Sequence, residues 1–183
     1  MCLKNRKTNL TLNTGCCSFE KTKPAFIMSG ELYNFLVHLH SVGRWIVLIL
    51  LLIAIFNSLV AGRRPFIKSD ARTGLVLMIF TDLMLLIGIV LWFFGSRGYN
   101  VFKGVEMSEV TKEPSYRFFT VEHTIGMLLA IILIHIGKAQ AKKDIGDRAK
   151  HKRTVIFYLL ALLIILASIP WPFRQIGAAS HWY

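Results

Sequence analysis

Four long apolar blocks, separated by short polar connections, constrain this 183-residue chain more than any other feature. A helix needs roughly 20 apolar residues to cross the ~30 Å hydrocarbon core of a bilayer. The blocks at about 32–61, 73–94, 118–136 and 154–169 reach or approach that length. At the centre of a bilayer no water is available, so each backbone amide must be satisfied within the chain, and a helix does this within one segment. Leu-rich runs of this kind lack the two-residue alternation of barrel strands. The expected fold is therefore all-α, a four-transmembrane-helix up-down bundle, with the short connections making neighbouring helices antiparallel. With 54% hydrophobic and only 17% charged residues, the composition excludes a disordered chain and a disulfide scaffold and argues against a soluble enzyme.

The net charge of +12 would suit a nucleic-acid partner, but its placement points to topology instead. Arg63, Arg64, Lys68 and Arg72 lie in the first connection, and Lys138, Lys142, Lys143, Arg148, Lys150, Lys152 and Arg153 in the third. The second holds Arg97, Lys103, Lys112 and Arg117, offset by Glu106, Glu109 and Glu113, and the C-terminal tail adds Arg174. Counted by the positive-inside rule, the first and third connections are cytoplasmic and both termini lie outside. Aromatic residues gather at the same outer ends, among them Tyr33, Trp92, Tyr99, Tyr116 and Trp171, as an interfacial belt would. The basic run at 138–153 reads as a solvated face that sets topology and attracts anionic headgroups.

Residues 1–27 break this pattern. Their Lys4, Arg6, Lys7, Lys21 and Lys23 would raise the outer count from five to ten. They hold all three cysteines (Cys2, Cys16, Cys17) but no apolar stretch fit for a signal peptide. They are read as a disordered tail, or as an extension upstream of a start at Met28. The membrane domain then covers 28–174, and 175–183 form a short outer tail. No cysteine falls in the apolar blocks, which argues against thiol chemistry there.

Ionisable side chains at membrane depth are costly, so each is a functional candidate. They are His38, His40, Arg44, Asp82, Glu122, His123 and His135. His38 and His40 are about 200° apart around a helix and cannot share a face. His40 and Arg44, four apart, do share one. His123 and His135 are separated by ~18 Å of helical rise and cannot hold one cofactor together. His40 and His123 both fall ~8 to 12 Å below the outer surface. Two histidines facing each other across a bundle are a natural axial pair for the iron of haem b. Each is followed three residues later by glycine, Gly43 and Gly126, leaving room for a flat porphyrin near the backbone. Arg44 suits a propionate, because a guanidinium matches a carboxylate with two hydrogen bonds. His38 is a secondary ligand candidate, and His151 and His181 are placed in a basic loop and the tail. Asp82, near the midplane, reads as an ion-pair partner of Arg44, a proton-relay group, or a modulator of a nearby cofactor. Glu122 is expected to pair with Arg44 or Arg117, or to orient a histidine. No Gly-rich phosphate loop, metalloprotease helix or nucleophile elbow occurs.

The stretch from about 33 to 174 resembles small bacterial four-helix integral membrane proteins catalogued as cytochrome b-like. The resemblance is carried by His40-Ser41-Val42-Gly43-Arg44-Trp45, Arg117-Phe118-Phe119-Thr120-Val121-Glu122-His123, Ala149-Lys150-His151-Lys152 and Ser168-Ile169-Pro170-Trp171-Pro172-Phe173-Arg174. It implies a multi-pass protein of the bacterial inner (cytoplasmic) membrane, with His40 and His123 as haem ligands. Asp82 departs from it, since some relatives would be expected to carry a histidine on the second helix.

The expected function is electron transfer through haem b near the outer face of the membrane. Such a chain is an electron carrier or subunit rather than a stand-alone enzyme. Its partners would be the lipid bilayer, a quinone or redox protein, and a second copy in a homo-oligomer, with no nucleic acid. A non-catalytic scaffold or assembly subunit is the alternative, followed by a small proton-coupled transport protein using Asp82.

Overall fold

The computed structural model describes residues 29–173 and 176. The N-terminal segment with its three cysteines, and Arg174 and His181 of the tail, lie outside the described residues. The described residues are all helical, with no strand among them. The long helices are α1 (Gly30–Val60) and α2 (Lys68–Phe94). Three short turns of helix follow, α3 (Val101–Gly104), α4 (Met107–Lys112) and α5 (Pro114–Arg117). A π-helical turn (Phe118–Glu122) then joins α5 to α6 (His123–Ala139), and α7 (Asp147–Ser168) completes the set. Four stretches are long and apolar enough to cross a membrane, 30–60, 68–94, 114–142 and 147–168.

Local chemistry accounts for the helix boundaries. α1 runs 31 residues without a proline, about 46 Å at 1.5 Å per residue. It stops at Ala61, after which Gly62 takes the left-handed conformation (φ +58°) and Pro65 forbids resumption. Asp70 anchors the start of α2. Its carboxylate accepts the backbone N–H of Ile67 at 3.0 Å and two hydrogen bonds from Arg64, both 2.9 Å, which ties the connection to the helix. Pro114 opens α5 at a position where its missing N–H costs nothing.

The helical backbone outruns the apolar blocks. α2 begins at Lys68 instead of 73, and α7 at Asp147 instead of 154. Apolarity marks only the part of a helix facing hydrocarbon, whereas the hydrogen-bond ladder continues into the polar flank. His151 is therefore not in a loop: it is a buried residue of α7.

α1 and α6 both pack chiefly on α2 and α7, so the four long helices close a ring around one core. Each contributes a fully buried side chain at its centre: Leu51, Leu77, Ile134 and Ala161. The outward faces are apolar as well, with Phe56, Leu86 and Leu163 each about 60% exposed. A surface of that kind is stable against lipid, not water. Small residues set the spacing. Gly74 of α2 and Gly137 of α6 form a notch that receives the buried ring of Tyr158 from α7.

Replacing Gly137 by Leu pushes a side chain into the Tyr158 ring and should destabilise the fold by about 1–3 kcal/mol. Gly104→Ala, where nothing lies within 4 Å of a new methyl, should leave it unchanged. Detergent-solubilised unfolding midpoints of the two variants test the notch; equal midpoints would mean that the Tyr158 contact does not set helix spacing.

Candidate functional site

His40 and His123 face each other across the interior. α1 and α6 are held apart by α2 and α7, yet the two imidazole centroids lie 6.3 Å apart with ring planes inclined at 65°. Both residues are half-buried.

The aim of His123 is set by the π-helical turn immediately before it. An i→i+5 turn inserts one residue into the helical register, so the side chains before and after it are rotated relative to a plain α-helix. Three contacts hold this turn. Arg117 Nε donates to Glu122 Oε1 at 2.7 Å, an i,i+5 pair that spans one π-helical turn. Thr120 Oγ1 donates to the Tyr116 carbonyl at 2.6 Å. From α2, the Trp92 indole N–H donates to the Thr120 carbonyl at 3.1 Å. Phe118, almost wholly buried, and Phe119 then flank the His123 ring at centroid distances of 5.9 and 6.5 Å.

His123 Nδ1 lies 2.8 Å from the carbonyl oxygen of Ser168, the last residue of α7. That carbonyl belongs to the final turn, which has no partner within its own helix. A carbonyl only accepts, so Nδ1 carries the proton, and in the neutral ring Nε2 keeps its lone pair. A metal-binding histidine is commonly oriented in this way, with one nitrogen held by a carbonyl and the other open to the metal. On the facing ring, His40 Nδ1 is buried with no hydrogen-bond partner. Two imidazoles binding one metal ion from opposite sides at about 2.0–2.1 Å would have centroids about 6 Å apart. The observed pair fits that separation. Among the described residues no group of three or more His, Cys, Asp or Glu is placed to hold a metal ion. A donor set of two imidazoles suits a metal that brings its own equatorial ligands, as haem iron does.

The other expected residues fall in several places. Arg44, one turn beyond His40, packs its guanidinium over the Trp45 ring at 5.4 Å. A methyl group on Gly43 would meet the Met84 side chain of α2, and one on Gly126 would meet Ser168 of α7. Both glycines thus admit neighbouring helices, and Gly126 permits the approach that brings the Ser168 carbonyl to His123. Gly88 of α2 is a glycine the spacing of the histidines does not reveal: its missing Cβ would lie 3.5 Å from His40 Cε1. His38 is exposed and outside the pair. Glu122 takes Arg117 as its partner, not Arg44.

Asp82 corrects the expectation of an ion pair with Arg44. Its partner is His135 of α6, with Oδ1 3.4 Å from Nε2. His135 Nδ1 meets the Ile131 carbonyl at 2.9 Å and therefore bears a proton. Both side chains are more than 40% exposed, on the outer side of the α2–α6 contact. Helix rotation explains the difference, since Arg44 points inward toward the histidine pair and Asp82 does not.

No protein-family model matches the chain, and no curated protein or solved structure matches it.

Trp92→Phe removes the indole donor while keeping an aromatic ring, leaving the Thr120 carbonyl without that bond. The expected loss is about 1 kcal/mol of stability, read from unfolding midpoints. No loss would mean that the π-helical turn holds without α2.

Proposed function

We propose that this chain is a cytochrome b-like electron carrier of the bacterial inner membrane, holding one haem b between His40 and His123. The observation that carries the proposal is the facing imidazole pair at 6.3 Å with His123 Nδ1 bound to the Ser168 carbonyl. The hydrogen bond fixes the tautomer that leaves Nε2 available as a ligand and strengthens the ring as a donor. Bound there, haem would supply one-electron chemistry between ferrous and ferric iron. Arg44 stands one turn from His40, where its guanidinium would receive a propionate. Phe118, Phe119 and the helices around them would keep water from the pair, and a dry surround is one of the means by which a protein tunes a haem.

The kinship with cytochrome b-like membrane proteins belongs to this proposal, as do up-down topology, cytoplasmic first and third connections and outward termini. Eleven Lys and Arg in those two connections support that orientation. It brings the histidine pair to the outer half of the bilayer, within reach of a quinone or a periplasmic redox protein. A homo-oligomer would add lipid-side contacts without changing the site.

A second reading rests on the Asp82–His135 pair. A carboxyl group and an imidazole in contact at the bundle surface suit a group that passes protons. A scaffold role remains the reading in which neither pair has chemistry.

The protein expressed with haem supplied and purified in detergent should give sharp b-type bands in a reduced-minus-oxidised spectrum, at about one haem per chain. His123→Ala and His40→Ala should abolish them, whereas Asp82→Asn should leave them in place and affect only proton movement. A folded, colourless protein under these conditions overturns the cytochrome reading. Topology has its own test. With Cys2, Cys16 and Cys17 changed to Ser, a cysteine placed at Glu109 should react with a membrane-impermeant thiol reagent in intact cells, and one placed at Lys150 should not. The reverse pattern would invert the orientation.

A further inference from the structure

At the other end of the bundle from the histidine pair, the end of α1 and the beginning of α7 border an open-sided cavity of about 290 Å³. Its wall combines three features. Arg148 and Lys152 are exposed cations one helical turn apart on α7. His151 between them is only 3% exposed, and neither of its ring nitrogens has a hydrogen-bond partner. Leu59 and Ile156 line the same cavity and are about half-exposed, and Ser58 adds a hydroxyl.

A buried imidazole always carries at least one N–H, and leaving its nitrogens unpaired is unfavourable. The neighbouring carboxylates do not relieve it. Asp70 is held by Arg64, and Asp147 pairs with Lys150 at 3.8 Å. Phe66 packs against the His151 ring at 5.0 Å and fixes its plane without satisfying it. Two exposed cations and a buried, unpartnered imidazole bordering one open-sided cavity form a site for an anion with several oxygens, and the apolar side wall extends that site toward acyl chains.

We propose that this cavity binds the phosphate of an anionic phospholipid, with Arg148 and Lys152 pairing its charge, His151 donating to a phosphate oxygen, and Leu59 and Ile156 lying along the first carbons of the acyl chains. Inorganic phosphate shares the headgroup chemistry but would leave the apolar wall and most of the volume unused. The inference rests on the membrane-spanning reading and is independent of haem.

The test is native mass spectrometry of the delipidated full-length chain with phosphatidylglycerol, with phosphatidylcholine, and with phosphatidylglycerol plus inorganic phosphate. Wild type should retain phosphatidylglycerol at least tenfold more tightly than phosphatidylcholine, and millimolar phosphate should not displace it. Arg148→Gln with Lys152→Gln, both at exposed positions, should weaken phosphatidylglycerol at least tenfold. His151→Phe should weaken it several-fold. Lys142→Gln with Lys143→Gln removes the same charge from the same basic run outside the cavity and should change little. Equal retention of the two lipids, or equal weakening by the two double variants, would overturn the site in favour of diffuse attraction. Displacement by millimolar phosphate would overturn the lipid as its ligand.

Discussion

Polar groups in an apolar medium must find partners inside the chain, and here they find them in backbone carbonyls. Trp92 donates to Thr120, Trp171 to Leu166, Thr81 to Leu77 and Gln140 to Ile136. His123 and His135 use Nδ1 in the same way, on Ser168 and Ile131. Most of these bonds are local and decorate a single helix. Two join different long stretches and carry more consequence: Trp92 to the π-helical turn, and His123 to the end of α7. Together they fix how the third stretch sits against its neighbours, and the candidate site is a result of that placement.

Close approach is the second requirement, and small residues provide it at both ends of the bundle. Gly126 lets α7 come near enough for its last carbonyl to reach His123, and Gly43 admits Met84 beside the histidine pair. At the far end Gly74 and Gly137 accommodate Tyr158. Packing in lipid gains little from excluding solvent, so backbone proximity and interhelical hydrogen bonds take over the work that apolar burial performs in water.

Much of the architecture was legible in the residues, because four apolar blocks leave a chain little choice but four helices. His40 and His123 could be matched by depth, since rise per residue is constant. Rotation about the helix axis was harder to read. Asp82 and His135 are 53 positions apart, and nothing in either block says that their faces meet. The π-helical turn escapes a 3.6-residue periodicity by construction, and its one trace is the spacing of Arg117 and Glu122, five apart and oppositely charged. The density of charge around His151 suggests a loop, because a run of basic residues resembles a connection more than a helix. The ladder of α7 in fact begins four residues earlier, at Asp147, and turns that imidazole inward.

The most direct measurement of the central claim is low-temperature electron paramagnetic resonance of the oxidised, haem-loaded protein, since it reports the axial ligands themselves. Ligation by His40 and His123 predicts a low-spin ferric signal typical of two imidazoles, converting to high spin when either histidine is replaced by alanine. A high-spin signal in the unaltered protein, or a low-spin signal that survives both replacements, would contradict it.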